Sequence, residues 1–147
     1  AFVSLTVKNA FGDMNDVEFS GKYNENYICS DNRIPEVRDF TVQFIVEDAT
    51  DGELMNAYNL NVSINDQLGV ISFGERKSRG DMDIQKGDVI TVVCEPNGLA
   101  KLYVNKELSS SAYNEEVCSE LKNCEITLSD NAKDLKVMSK ALSFKGI

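Results

Sequence analysis

Val89-Ile90-Thr91-Val92-Val93-Cys94, then Glu95-Pro96-Asn97-Gly98-Leu99, then Ala100-Lys101-Leu102-Tyr103-Val104-Asn105: this stretch decides the fold class. Its first six residues are almost continuously apolar and rich in β-branched side chains, the pattern of a central strand covered on both faces. Pro96 fixes one φ, and Asn97-Gly98 follows as a strong hairpin signal, so residues 94 and 100 are predicted to flank a turn. Working outward, Phe40-Thr41-Val42-Gln43-Phe44-Ile45-Val46-Glu47 is apolar at 40, 42, 44 and 46, and three of the four residues between are polar. Tyr58-Asn59-Leu60-Asn61-Val62-Ser63-Ile64-Asn65 alternates throughout, which places Tyr58 on the apolar face as a core residue. Both stretches predict strands with one face on a core and one in solvent. Shorter strands are predicted over residues 4–8, 17–20, 27–29, 68–73, 100–105, 125–129 and 134–138. Residues 113–122 could form a helical turn or two, and no amphipathic helix of ten residues is visible. Many short strands joined by turns predict an all-β, two-sheet antiparallel sandwich.

A chain of 147 residues suits one domain, residues 1–147. The formal net charge of −9 and a pI near 4.5 exclude the clustered basic surface that nucleic acid requires and disfavour anionic membranes. No apolar run approaches the roughly 18 residues of a membrane span, so direct membrane insertion is not expected. Ala1 is read as the start of a mature chain or the edge of an excised domain.

Four cysteines, Cys29, Cys94, Cys118 and Cys124, allow three pairings. Zinc does not suit them, because no two are spaced CxxC and the chain contains 0 His. A sequon at Asn61-Val62-Ser63 marks Asn61 as a glycosylation candidate. Together these features lead us to expect two disulfides and a secreted or cell-surface setting. Cys118 and Cys124 close a short local loop, which leaves Cys29 with Cys94.

The order of segments over residues 17–147 resembles the laminin-G-like branch of the concanavalin-A-like lectin/glucanase superfamily. Val17-Glu18-Phe19-Ser20-Gly21 with Asn26-Tyr27-Ile28 looks like its opening pair of strands. Phe40 to Val46 looks like its first long core strand, and Tyr58 to Val62 with Gly69 to Phe73 like the two that follow. Asp88 to Val93 and Ala100 to Leu108 are similar to its most recognisable hairpin, and Lys133 to Ser143 to its closing strand and tail. The departures are Ser20 where an Asp is frequent, Lys106 where a turn Gly is usual, and the missing Trp near residue 91. A structural calcium site that uses the first of these is therefore in doubt. The resemblance implies a jelly-roll sandwich that binds proteins, proteoglycans or glycans through rim loops or the concave face.

Each chemical candidate has a plainer alternative. Hydrolytic relatives carry alternating carboxylates on one strand face; no apolar strand here has that spacing, and without His no Ser-His or Cys-His pair can form. The chain is therefore read as non-catalytic. Calcium, the one cofactor considered, needs converging oxygens. Asp13 and Asp16 with Asn15 and Glu18 in one loop, and Asp48, Asp51 and Glu53 in another, could supply them if the two loops meet at one rim; the plainer reading is solvated turns. For a sugar, Tyr23, Tyr27, Tyr103 and Tyr113 could serve as platforms, and Asn59, Asn61, Ser63 and Asn65 form an amide and hydroxyl row, which is otherwise just a soluble sheet face. Arg79-Gly80-Asp81 is the integrin-type tripeptide, expected in an exposed loop; its plainer reading is a basic turn. The expectation is an adhesion or recognition module for a protein partner at a cell surface or in the extracellular matrix. A lectin-like domain, calcium-assisted or not, and a coat or filament subunit are the alternatives.

Overall fold

The computed structural model describes residues 17–19, 32–34, 39–114 and 124–144. Among the described residues twelve strands follow one another: β1 (Val17–Phe19), β2 (Phe40–Val46), β3 (Gly52–Ala57), β4 (Leu60–Asn65), β5 (Leu68–Phe73), β6 (Arg76–Asp83), β7 (Val89–Cys94), β8 (Leu99–Val104), β9 (Glu107–Tyr113), β10 (Thr127–Leu128), β11 (Ala132–Met138) and β12 (Leu142–Phe144). They form a five-stranded sheet ordered β10-β3-β4-β5-β6, a second ordered β11-β2-β7-β8-β9, and a small β1-β12 pair. The paired strands run antiparallel. The architecture is the expected all-β sandwich of two antiparallel sheets.

The core lies between the two large sheets. Phe40, Val42, Phe44 and Val46 from β2, with Ile90, Val92 and Cys94 from β7, face Leu60, Val62 and Ile64 of β4 and Ile71 and Phe73 of β5. Those side chains alternate along each strand because successive residues of an extended chain point to opposite faces. β7 lies at the middle of its sheet, where its unbroken apolar run places it. The Pro96-Asn97-Gly98 turn joins it to β8 with Cys94 opposite Ala100. Gly98 adopts φ 95°, and Asn97 Oδ1 accepts from the Leu99 amide at 3.2 Å.

Several expectations need correction. The second face of β2 is covered at Thr41, which is fully buried like its cross-sheet neighbours Val93 and Met138, while Gln43 and Ile45 farther along that face are half-buried. The reason lies far away in sequence. Residues 140–142 pass over Thr41, whose hydroxyl donates to the Lys140 carbonyl at 2.6 Å and accepts from the Leu142 amide at 3.1 Å. The Asp39 carboxylate accepts from the Ala141 amide at 3.3 Å.

Tyr58 is 59% exposed and not a core residue. It occupies the two-residue Tyr58-Asn59 turn between Ala57 and Leu60 with φ 51°, which takes it out of the strand period. Four strands were not foreseen: β3 and β6, whose charge resembles loop, β9, whose run of serines carries little apolar signal, and β12, which falls in the expected tail after the closing strand. The strands expected at residues 4–8 and 27–29, and most of the stretch 113–122, lie outside the described residues. Among the described residues no helix is long and apolar enough to cross a membrane.

Candidate functional site

Five connections meet at one end of the sandwich: residues 47–51, 66–67, 84–88, 105–106 and 129–131. Short hydrogen bonds hold them together. The amides of Glu47 and Asp48 donate to the Asn131 carbonyl, Gly87 donates to Val46, and Ile84 donates to Gln67. This rim collects Glu47, Asp48, Asp51, Asp66, Asp88 and Asp130, together with Glu53, Asp83, Glu107 and Asp134 at the adjoining strand ends. Lys86, Lys106, Lys133 and Arg79 are the cations nearby. Among the described residues the acidic excess is therefore concentrated at this end of the molecule, and the opposite end, around Tyr58, Gly74 and Pro96, carries less charge.

Some of these carboxylates have structural work. Asp51 accepts from the amides of Asp66 at 3.1 Å and Gln67 at 3.3 Å. It thereby caps a turn whose two residues both have positive φ, 52° and 68°. Asp48 accepts from the Thr50 amide at 3.0 Å. Glu47 pairs with Lys133 at 2.8 Å, which lowers the carboxyl pKa and raises that of the lysine, chiefly through the hydrogen bond between them. Asp88 accepts from the Gln85 amide at 2.9 Å and from Asn105 Nδ2 at 3.3 Å. The side chains of Glu53, Asp83, Glu107 and Asp130 take no hydrogen bond or ion pair among the described residues.

A cleft of about 500 Å³ opens in this rim, lined by Met82, Asp83, Gln85, Asp88, Val104, Asn105, Lys106 and Glu107. Its walls are the end of β6 with the connection after it and the β8–β9 hairpin, so both sheets contribute. Of its lining residues, the sequence had drawn attention only to Lys106, as a departure at a turn. The signal was available in the Gln85 to Asp88 turn and the Asn105-Lys106 hairpin, but their meeting is a tertiary fact.

The candidate residues do not converge on one place. Asn65 and Arg79 do meet, with Arg79 Nη2 donating to Asn65 Oδ1 at 2.9 Å, and Asp51 is tied to the turn directly after Asn65. Asp13 and Asp16 lie outside the described residues, so the calcium set is represented by Asp48, Asp51 and Glu53. The Asp48 and Asp51 carboxylates are occupied by backbone amides, and no group of three metal-ligating side chains forms among the described residues. Tyr103 is 6% exposed and cannot offer its ring face to a sugar. Burial also raises its phenol pKa, an effect to which Glu95 adds and which Lys101 opposes. Its buried position follows from the covered second face of the β2-β7-β8 sheet, which the period-2 pattern could not reveal. Tyr113, on the edge strand β9, is 48% exposed and lies at the other end of the molecule.

Arg79-Gly80-Asp81 is in the middle of β6, not in a loop. Arg79 and Asp81 are exposed, while Gly80 is buried and turned toward β9. A Cβ built on Gly80 would lie 1.8 Å from Ser109 Oγ and 3.1 Å from Ser109 Cβ. The glycine is there because the two edge strands approach closely. The amide row is also partly redrawn. Asn59 is a turn residue, while Asn61, Ser63 and Asn65 do share the outward face of β4. Asn61 joins a polar row across the sheet, Thr127-Asn56-Asn61-Ser72-Lys77, in register from β10 to β6. Asn61 itself is half-buried. Cys94 is buried and Cys124 half-buried. Cys29 and Cys118 lie outside the described residues, so each expected bridge has one end there.

No protein-family model and no curated protein matches this sequence. Solved structures do share its fold. One is the binding domain of botulinum neurotoxin DC in complex with rat synaptotagmin II, with a TM-score of 0.50 and 12% identity over 85% of this chain and 36% of that one. Another comes from work on botulinum neurotoxin type C, whose cell entry depends upon interaction with two ganglioside molecules. Its TM-score is 0.50 at 16% identity, again over 85% of this chain and 36% of that one. The chain thus spans little more than a third of the length of the structures it matches. At such identity the likeness establishes the architecture alone.

Proposed function

We propose that this chain is a non-catalytic recognition module of the laminin-G-like kind, a single domain over residues 1–147 that meets a protein partner in a secreted or cell-surface setting. The observation that carries this reading is the acidic rim, where carboxylates from both sheets are gathered at one end and several have no partner among the described residues. Unneutralised charge concentrated on one surface steers association with an oppositely charged partner. The solved neighbours support the reading by analogy, since one was captured with a protein and the other concerns gangliosides. Catalysis is poorly served. Asp81 and Asp83 alternate on β6, but both are exposed on an edge strand, whereas an acid catalyst needs a desolvated carboxyl.

A lectin reading has one specific observation behind it, the five-residue polar row from Thr127 to Lys77, which offers amides and hydroxyls across a whole sheet face. Glycosylation at Asn61 would cover that row. The coat or filament reading is weaker, because each edge of the two large sheets is guarded against strand addition. β10 has only two residues; β6 carries Arg76, Lys77, Arg79, Asp81 and Asp83; and register shifts interrupt the pairing at β9 and β11.

Binding of the labelled domain to intact cells, read by flow cytometry, tests the proposal. Reversing rim charge with Asp83→Lys and Asp130→Lys should abolish binding, and Glu75→Lys at the opposite end should leave it unchanged. Protease treatment of the cells should remove the signal. Binding that survives both the rim reversal and the protease would refute the proposal. If it is lost instead on glycosidase treatment, with a matching hit on a glycan array run with calcium and with chelator, the lectin reading replaces it.

A further inference from the structure

The rim cleft has a composition of its own, different from the acidic surface around it. Its floor is apolar: Val104 is buried and Met82 packs partly against the core. Two carboxylates stand over that floor from opposite sheets, Asp83 at the end of β6 and Glu107 at the start of β9. Both are exposed, and neither is engaged within the described residues, while Lys106, which also lines the cleft, has a partner of its own. Between them the wall is held in shape by a closed set of bonds. Asp88 accepts from the Gln85 amide and the Asn105 side chain, and Asn105 Oδ1 accepts from the Val89 amide at 3.1 Å. Asp88 is thus committed to the wall, and Asp83 and Glu107 are left to a ligand.

An apolar floor flanked by unpaired carboxylates complements one kind of side chain, a long apolar stem ending in a cation. Arginine and lysine have that form, and arginine can also offer a planar fork to both carboxylates. A volume of about 500 Å³ leaves room for such a side chain with part of the backbone that carries it. We propose that this cleft is the anchor pocket of the interface, and that it takes a basic residue, arginine best, from the protein partner. The proposal rests on the recognition reading above and specifies the contact at its centre. The stem lies over Met82 and Val104, and the guanidinium bridges Asp83 and Glu107.

The test uses the whole chain, isotope-labelled, titrated with N-acetyl-arginine amide and followed through backbone amide shifts. N-acetyl-citrulline amide, which has the same shape without the charge, is the control. Arginine should shift the amides of residues 82–85 and 104–107, and citrulline should not. Asp83→Asn with Glu107→Gln should weaken binding about tenfold, since each exposed charge pair contributes a few-fold. Asp51→Asn, on the same rim but outside the cleft, should stay within about twofold of the parent. Shifts spread evenly around the rim and equally sensitive to Asp51→Asn would overturn the pocket, while leaving the acidic-rim reading to the cell-binding test. Cleft shifts produced by neutral monosaccharides and not by arginine would overturn it in favour of a hydroxyl-rich ligand. Absence of any cleft shift would also overturn it.

Discussion

Replacing Gly80 by alanine tests the idea that the glycine of Arg79-Gly80-Asp81 is kept for space. Gly80 is not among the residues with positive φ, so its backbone accepts any side chain, and only the neighbouring strand objects. The new Cβ would sit 1.8 Å from Ser109 Oγ, 3.1 Å from Ser109 Cβ and 3.3 Å from the Ser109 carbonyl oxygen. Rotation about χ1 can move the hydroxyl away. The Cβ and the carbonyl cannot follow without β9 moving, and β9 is held by β8 through register pairs on both sides of the bulge. Overpacking of this kind costs about 1–3 kcal/mol. The lower entropy of an alanine-containing unfolded chain offsets about 0.4–1 kcal/mol of it. The expected net loss is about 1–2 kcal/mol, seen in urea denaturation as a lower midpoint with an unchanged slope. Adding Ser109→Gly should relieve the contact, so the double variant should be less destabilised than the two single changes summed, by about 1 kcal/mol. Unchanged or increased stability in Gly80→Ala, or strict additivity in the double variant, would refute the close-approach account. In that case the tripeptide would need another reason for its glycine.

Asp51→Ala removes the acceptor for two turn amides and should cost about 1 kcal/mol, equally in millimolar calcium and in chelator; stabilisation by calcium that Asp51→Ala abolishes would restore the metal reading. Tyr58→Gly should stabilise the domain by up to about 1 kcal/mol, because tyrosine holds a left-handed turn position in which glycine is unstrained; thermal melting would detect it, and a fall in Tm would count against it. Tyr103→Phe should remove the component of the tyrosinate absorbance titration that appears at the highest pH, since burial raises that phenol above its ordinary value of 10.0. The folded state favours the protonated ring, so this group does not oppose folding below pH 10, and stability falls as pH rises from there through the raised folded pKa. A parent and variant with superimposable titrations would show that Tyr103 is solvated.

The local pattern went a long way toward this molecule. Apolar alternation in residues 40–46 and 60–65, the unbroken run at 89–94 and the Pro96-Asn97-Gly98 turn each encode strand or hairpin within a few neighbouring residues. Their physics is that of side-chain period and backbone φ, which needs no partner from elsewhere in the chain. Antiparallel pairing and a two-sheet sandwich follow, because half-apolar strands joined by short turns have few other ways to bury one face. The charge of the chain, too, was visible as a total.

The arrangement of that charge was not. β6 and β3 are strands because the neighbours that pair with them complete their hydrogen bonds, despite sequences that read as loop. Thr41 is buried because residues 140–142 come back over a sheet whose second side looked free, and Tyr103 is buried on that same sheet. Gly80 matters because of Ser109, a residue on the other sheet. Asp83 and Glu107 line one cleft only because the ends of β6 and β9 stack at the same end of the sandwich. Each of these depends on contacts between segments tens of residues apart, and such contacts are set by how the two sheets pack, which no window of sequence contains.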